Sequence, residues 1–406
     1  MIAILFIRKA FSQTYLNPTG ILCGVWILIV ALMSFLAPSF FFSYDVAFNI
    51  LFFVIFFFLG EFIVALSNKK DNRRYSYIEF NDGNKRRLKK YVTYFSFFSL
   101  LGSLFYLKAF VDHFGSFQAF FTAGALIRED LFGGGIIIPS YALIPALFSY
   151  TAINLAMVHY VRYGFSWVQA VPFLSVIIMS VSQASRAGMV IVIFQIISAI
   201  IFRLLMKNDK KLELKLLKIF LLIVPILFTV FTLIDSFRSQ NFSMSDDKMS
   251  KTNETFYIYT FGGVSGFSTY LETIYSSDNL LTGGRYTFSS LYDLLGIAKA
   301  EAGVYDEYLK ISPNNTANIY SIFRPLMEDF GFYGMVSWAF ILGMISNFNF
   351  RKALNGSLIS ISISISIYIY LMFSFIAPLT QFNSFILSCV LSPVVLYISK
   401  YQFKYS

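Results

Sequence analysis

The sequence predicts an all-α polytopic membrane protein: a single membrane domain over residues 1–406 with about ten transmembrane helices and one long loop before the eighth. Three observations predict it. Of 406 residues, 57% are hydrophobic and only 13% charged, about half the charged share of a soluble domain. Ten stretches stay apolar over the roughly 20 residues a helix needs to cross the hydrocarbon core. Lysines and arginines gather in the short connections of one side, which is the signal of orientation.

The runs lie near 19–37, 44–66, 91–111, 137–160, 167–184, 187–203, 219–236, 330–347, 357–377 and 383–399. The fifth and sixth are separated only by Gln183, Ser185 and Arg186 and their neighbours, so that junction is read as a tight outer turn. The Ser360–Ile367 alternation has the period of a strand. It sits inside an apolar stretch with no partner strand, and an isolated strand in lipid leaves its backbone unpaired, so a helix is expected, its serines bonding back to the helix's own carbonyls. Glu61 falls near the inner end of the second run. Snorkelling accounts for it, and a proton relay is the alternative.

Sorted on these spans, Arg8 and Lys9, nine basic residues between 67 and 90, Arg162, six from Arg203 to Lys218, and Arg351, Lys352, Lys400 and Lys404 fall on one side. That is 22 of 32, and it places both termini in the cytoplasm. The net charge of +10 is thereby a topology signal and not a nucleic-acid footprint. The 67–90 segment is expected to be a solvated basic cytoplasmic loop. The N-terminus carries Arg8 and Lys9 after its apolar residues, the reverse of a cleaved signal peptide, and is expected to stay in the mature chain. Cys23 and Cys389 lie in apolar runs at opposite ends of the chain and give neither a disulfide framework nor a zinc cluster.

Residues 237–329 contain no convincing span. The segment is rich in tyrosine, Tyr270, Tyr286, Tyr305 and Tyr320 among them, and Gly262-Gly263 and Gly283-Gly284 punctuate it. Phe267 to Tyr275 and Phe288 to Leu295 show helical apolar spacing and are expected to lie along the membrane surface. The whole is expected to form a large periplasmic loop folded as a cap. Its tyrosines serve either as an interface belt or as stacking platforms for sugars.

Arginines are few on the outer side: Arg128, Arg186, Arg238, Arg285 and Arg324. An arginine at membrane level is costly unless paired or facing a polar cavity, and its planar fork binds phosphate oxygens bidentately. Several converging there would hold a lipid-linked diphosphate; the plainer reading is that each snorkels or pairs locally. Candidate acids and bases are Asp112, Glu129, Asp130, Asp235, Glu272, Asp293, Glu328 and Asp329. His113, at the outer end of the third span, is a candidate base, and His159 is read as structural. No Asp-x-Asp occurs, and neither histidine has a metal-ligand companion nearby, so no metal or cofactor is expected.

The stretch from Asn315 to Gly334, with Asn318, Tyr320, Ser321, Asp329, Phe330, Gly331 and Gly334, resembles the final motif of bacterial oligosaccharide repeat-unit polymerases, the O-antigen polymerase (Wzy) family. Ser185-Arg186-Ala187-Gly188 is similar to a second element of that family, and Gly284 to Phe288 to a third. The resemblance implies a metal-independent glycosyltransferase with a glycosyltransferase-C-like fold in the bacterial inner membrane. It would transfer the growing glycan from undecaprenyl diphosphate to the next lipid-linked repeat unit at the periplasmic face, with a polysaccharide co-polymerase as partner. It implies Arg186 and Arg324 as diphosphate ligands and Asp329 as base or as orienter of Arg324. Arg238, Arg285, Arg128, Asn318 and Tyr320 are implied as substrate contacts. For Arg186 to meet Arg324, the Gln183–Arg186 turn must lie outside. The alternatives are an O-antigen ligase-like transferase and a lipid-linked oligosaccharide flippase. Ligases commonly carry a histidine in the large loop, and none occurs in 237–329.

Overall fold

A computed structural model describes residues 1–5, 14–67, 82–124, 126–207, 246–275, 281–297, 305 and 307–401, with isolated positions between 225 and 237. In chain order its helices are α1 (Pro18–Leu36), α2 (Tyr44–Ser67), α3 (Asp82–Phe114), α4 (Phe117–Thr122), α5 (Leu126–Phe132), α6 (Ser140–Leu147), α7 (Ser149–Tyr163), α8 (Val171–Ser182), α9 (Ala187–Met206), α10 (Asp246–Thr273), α11 (Ser289–Leu294), α12 (Phe323–Leu354), α13 (Leu358–Phe373) and α14 (Asn383–Tyr401). A two-residue ladder pairs β1 (Leu309–Lys310) antiparallel to β2 (Thr316–Ala317). Among the described residues, six helical stretches are long and apolar enough to cross a membrane: Pro18–Leu36, Tyr44–Ser67, Lys85–Phe114, Ser140–Tyr163, Ala187–Met206 and Phe323–Leu354. Three shorter apolar helices cover Trp167–Ser182, Leu358–Phe373 and Asn383–Ser399. The protein is a multi-pass, all-α membrane protein. The expected run 219–236 lies outside the described residues, isolated positions apart.

Two helix starts differ most from the sequence reading. Helix α3 begins at Asp82, so part of the expected 67–90 loop is helical, while 68–81 lie outside the described residues. Helix α12 begins at Phe323, ahead of the expected 330, and Gly331 breaks it at φ +64°.

The chain forms two compact units. The first comprises Met1–Ser76, Thr255–Asn355 and Ser366–Ile386; the second comprises Tyr77–Glu254, Gly356–Ile365 and Leu387–Ser406. Much of the expected cap, from Thr255 onward, therefore belongs to the unit that holds α1 and α2. In that unit α2 and α12 cross with backbones nearly touching. A Cβ on Gly60 would stand 2.0 Å from the Phe340 carbonyl oxygen, and one on Gly343 would stand 2.1 Å from that of Phe57. Small residues permit such close crossings, which drive helix association where lipid removes the hydrophobic incentive. Beside the crossing, Asn347 Nδ2 donates to the Glu61 carbonyl at 2.7 Å. The Glu61 side chain does not snorkel. It is fully buried and accepts from Thr19 Oγ1 at 2.7 Å and Thr19 N at 3.3 Å, at the N-terminus of α1. That terminus is capped by Asn17, whose Oδ1 accepts from Gly20 N, and Pro18 opens the first turn.

The second unit packs α3 against α6, α7 and α8. Gly102 on α3 allows the backbone of Ala146 within 2.4 Å of its would-be Cβ. Buried serines stitch this contact: Ser175 Oγ lies 2.5 Å from Ser103 Oγ and 2.7 Å from Ser149 Oγ, and donates to the Ser99 carbonyl. The Ser-Ile alternation of 360–367 is helical. Ser362 donates across to Asn154 Oδ1 at 2.7 Å, where a bond back into its own helix was expected. His159 Nδ1 lies 2.6 Å from Gln169 Nε2, and the Gln169 Oε1 accepts from Ser166 N in a capping box.

Candidate functional site

The first unit concentrates charge around the start of α12. After β2 the chain passes from Asn318 to Ile322 alongside α10 without regular structure. Ser321 N donates to the Gly263 carbonyl at 3.0 Å and Ile322 N to that of Ser374 at 2.9 Å. The approach needs glycine on the helix: a Cβ at Gly263 would lie 2.5 Å from the Phe375 carbonyl oxygen, and one at Gly266 would lie 2.9 Å from that of Ile319. Gly262 and Gly263, expected to punctuate a loop, therefore sit inside a helix as a docking face. Phe323 then anchors α12, its ring 5.1 Å from Trp26, 5.4 Å from Phe53 and 5.6 Å from Phe267.

Arg324 follows, only 2% exposed. Its guanidinium carbon lies 3.8 Å from the Tyr305 ring centroid, 4.1 Å from Tyr320 and 4.5 Å from Tyr270. Three ring faces around a desolvated cation stabilise it by about 2 kcal/mol or more at the strongest contact. Nε donates to Glu328 Oε1 at 2.9 Å and Nη2 to Glu307 Oε2 at 2.8 Å. Nη1 has no hydrogen-bond partner among the described residues. Glu328 is one helical turn on and its second oxygen accepts from Tyr305 Oη at 2.8 Å. One cation thus faces two carboxylates.

The carboxylates are not equivalent. The Glu328 side chain is 15% exposed and that of Glu307 54%. A charge-assisted bond in the first setting is worth about 1.5–3 kcal/mol; an ion pair as exposed as the second is worth about 0–1 kcal/mol. Glu328 is the fixed partner and Glu307 the exchangeable one. Burial raises the Tyr305 phenol well above its ordinary value, with the Glu328 charge adding to it. Burial likewise pushes Tyr320 up to about 12 against the opposing pull of Arg324. Both stay protonated at neutral pH, so Tyr305 remains a donor and neither phenol serves as a base.

Asn318 and Tyr320 take a part that their motif did not reveal. Asn318 Nδ2 donates to the Tyr305 carbonyl at 3.2 Å and Tyr320 Oη to the Glu307 carbonyl at 2.9 Å. The pair fixes the backbone that brings Tyr305 and Glu307 to Arg324.

Asp329 is 1% exposed and accepts from Thr282 Oγ1, from Tyr286 N at 3.1 Å and from Thr287 N. The break at Gly331 leaves nearby carbonyls without intrahelical partners, and the same loop takes two of them: Thr282 N bonds Glu328 O and Gly283 N bonds Asp329 O. Gly283 and Gly284 make the turn at φ +65° and +102°. The loop carries Arg285, which is exposed, and Tyr286, whose ring stacks on Tyr305 at 5.4 Å. Both Asp329 oxygens are engaged by this loop, and the carboxylates on Arg324 are Glu328 and Glu307. Asp329→Asn should place an amide donor against a backbone N–H. A loss of about 1–3 kcal/mol is expected, read as a lower unfolding temperature and as new protease cleavage near Arg285.

Several other sequence candidates belong to the second unit. Arg186, 2% exposed, precedes α9 in the second unit, after a tight turn in which Ala184 sits at φ +47°. Gln183 in that turn donates to Tyr106 Oη at 2.9 Å. His113 Nε2 lies 3.0 Å from Asp130 Oδ2. Arg128 belongs to α5, its side chain outside the description, and Arg238 and Asp235 lie outside the described residues. Among the described residues no group of three His, Cys, Asp or Glu side chains is placed to hold a metal. The sequence reading missed Glu307, which lies 17 residues and a hairpin from Arg324 and has no local signal. The Arg324–Glu328 pair was legible as i, i+4 spacing once α12 is started at its proline-bearing first turn. No protein family, curated protein or solved structure matches the chain.

Proposed function

We propose that this protein polymerises lipid-linked oligosaccharide repeat units at the periplasmic face of the bacterial inner membrane, building O-antigen or a related surface polysaccharide. On this reading about ten spans form a glycosyltransferase-C-like fold with both termini in the cytoplasm. The acceptor hydroxyl of a new lipid-linked repeat unit forms a bond to the anomeric carbon of the growing glycan. The bond to undecaprenyl diphosphate breaks, and its electron pair leaves on the diphosphate. The acceptor proton passes to a base. No metal enters, so cationic side chains must stabilise the leaving charge. A polysaccharide co-polymerase sets polymer length.

The observation that carries the reading is Arg324. It is a buried arginine within the first turn of an apolar helix, caged by three tyrosines, with one guanidinium nitrogen unspent. It sits within the stretch that resembles the polymerase motif. Deletion of the gene tests the proposal: single repeat units on the lipopolysaccharide core are expected. Free core with polymer retained on the lipid carrier identifies a ligase, and repeat units stranded on the cytoplasmic side identify a flippase. Either result overturns the polymerase reading.

A further inference from the structure

We propose that Arg324 in its tyrosine cage is an exchangeable anion site, and that Glu307 occupies the place taken by a phosphate or diphosphate ester. The inference borrows the diphosphate from the polymerase reading and rests on it for the ligand class alone. Glu307 and Glu328 divide the guanidinium between them. Glu328 takes Nε, is the more buried, and is tied by its second oxygen to Tyr305. Glu307 takes Nη2, is half-exposed, and its carboxylate has no second hydrogen bond among the described residues. Beside Nη2 lies Nη1, buried and without a hydrogen-bond partner among the described residues. Nη1 and Nη2 form the end-on edge of the fork, the pair of parallel donors that grips two oxygens of one phosphate.

An arriving dianion meets two carboxylates on one cation and must displace one of them. Exposure selects Glu307. The exchange leaves the Tyr305 and Glu307 carbonyls held, by Asn318 Nδ2 and Tyr320 Oη. Glu328 stays and keeps the guanidinium oriented among the rings. The empty site is self-neutralised by its own carboxylate, and the ligand's affinity is set in competition with Glu307.

The test is calorimetric titration of the full-length protein in zwitterionic nanodiscs, with inorganic diphosphate in one arm and a short-chain polyprenyl diphosphate in the other. Glu307→Gln should bind at least one of them about tenfold more tightly than the natural chain, the scale of one competing charged contact. The arm in which tightening appears separates a soluble diphosphate from a lipid-borne one. Glu307→Asp keeps the charge and loses the reach, and should also tighten binding. Arg324→Lys should abolish the gain. Unchanged or weaker binding by Glu307→Gln overturns the proposal, and so does tightening by Gln but not Asp, which would mark a general field effect. A tightened Glu307→Gln together with a ligase or flippase phenotype on deletion retains the anion site and removes the polymerase. Polymerase phenotypes with unaltered binding do the reverse.

Discussion

Arg324→Lys is expected, on the proposed polymerase activity, to cut polymer synthesis by about 100-fold, the loss that follows removal of a positioned donor from a developing anion, while the protein still folds and extracts normally. The lysine keeps the charge, so Glu328 keeps a counter-ion. It loses the planar fork that lies against Tyr305, Tyr320 and Tyr270 and reaches Glu328 and Glu307 at once. Arg324→Met should behave differently. It leaves Glu328, largely buried and bonded to Tyr305, without a cation, and breaking a buried pair from one side costs about 3–5 kcal/mol. Activity and unfolding temperature should therefore separate: Lys loses the first and keeps the second, Met loses both. Lipid-linked intermediates of normal length in the Lys variant would remove Arg324 from the chemistry. An unfolding temperature unchanged in the Met variant would show that Glu328 does not depend on it.

Gly343→Leu is expected to prevent the first unit from forming at all. The Cβ of any replacement would stand 2.1 Å from the Phe57 carbonyl oxygen, and Gly60 presents the reciprocal contact at 2.0 Å with Phe340. The clashing atoms are backbone, so no side-chain rotation relieves them and the helices must move apart. A gap of 0.5–1 Å already forfeits a quarter to a half of each dispersion contact along the crossing. The Asn347 bond to the Glu61 carbonyl is stretched with it. The cost should exceed the ~1–3 kcal/mol usual for an overpacked core. In detergent the variant should give no monodisperse peak. Gly24→Leu is the control, since a Cβ there meets nothing within 4 Å; it should behave as the natural chain. A well-behaved Gly343→Leu would disprove the close crossing.

These outcomes also mark what could be read beforehand. Long apolar runs needed only their length, because lipid demands a satisfied backbone over a fixed thickness. Helix ends were not legible in the same way. Helix α3 reaches back through charged residues to Asp82, which hydropathy scores as loop although Lys, Arg and Leu form helices well. Helix α12 starts at Phe323, and the signal was present in Pro325, which is tolerated in a first turn. The eighth apolar run, expected from 330, begins beside a real break at Gly331, but that break lies inside a helix. Gly262 and Gly263 misled because glycine punctuates loops and also lets a chain segment dock on a helix, and sequence alone does not separate the two uses. The site divided similarly. Arg324 stood out as a cation where cations are costly, whereas Glu307 is brought to it by a hairpin and by two side chains bonding carbonyls, none of which leaves a periodic trace.

The discontinuity of the first unit has a temporal meaning. Gly60 and its partner surface around Gly343 are separated by roughly 280 residues, which at about 5–20 residues per second of synthesis is roughly 15–60 s. Throughout that interval α2 is present in the bilayer with its glycine face unmated, and the turn that carries Arg324 has not been made. The surface that later fits α12 must remain vacant among lipids and competing helices while the second unit is synthesised. The Arg324 cage is thus completed only after this interval, and a ribosome that stops short of Gly343 leaves α2 without the helix it was shaped to meet.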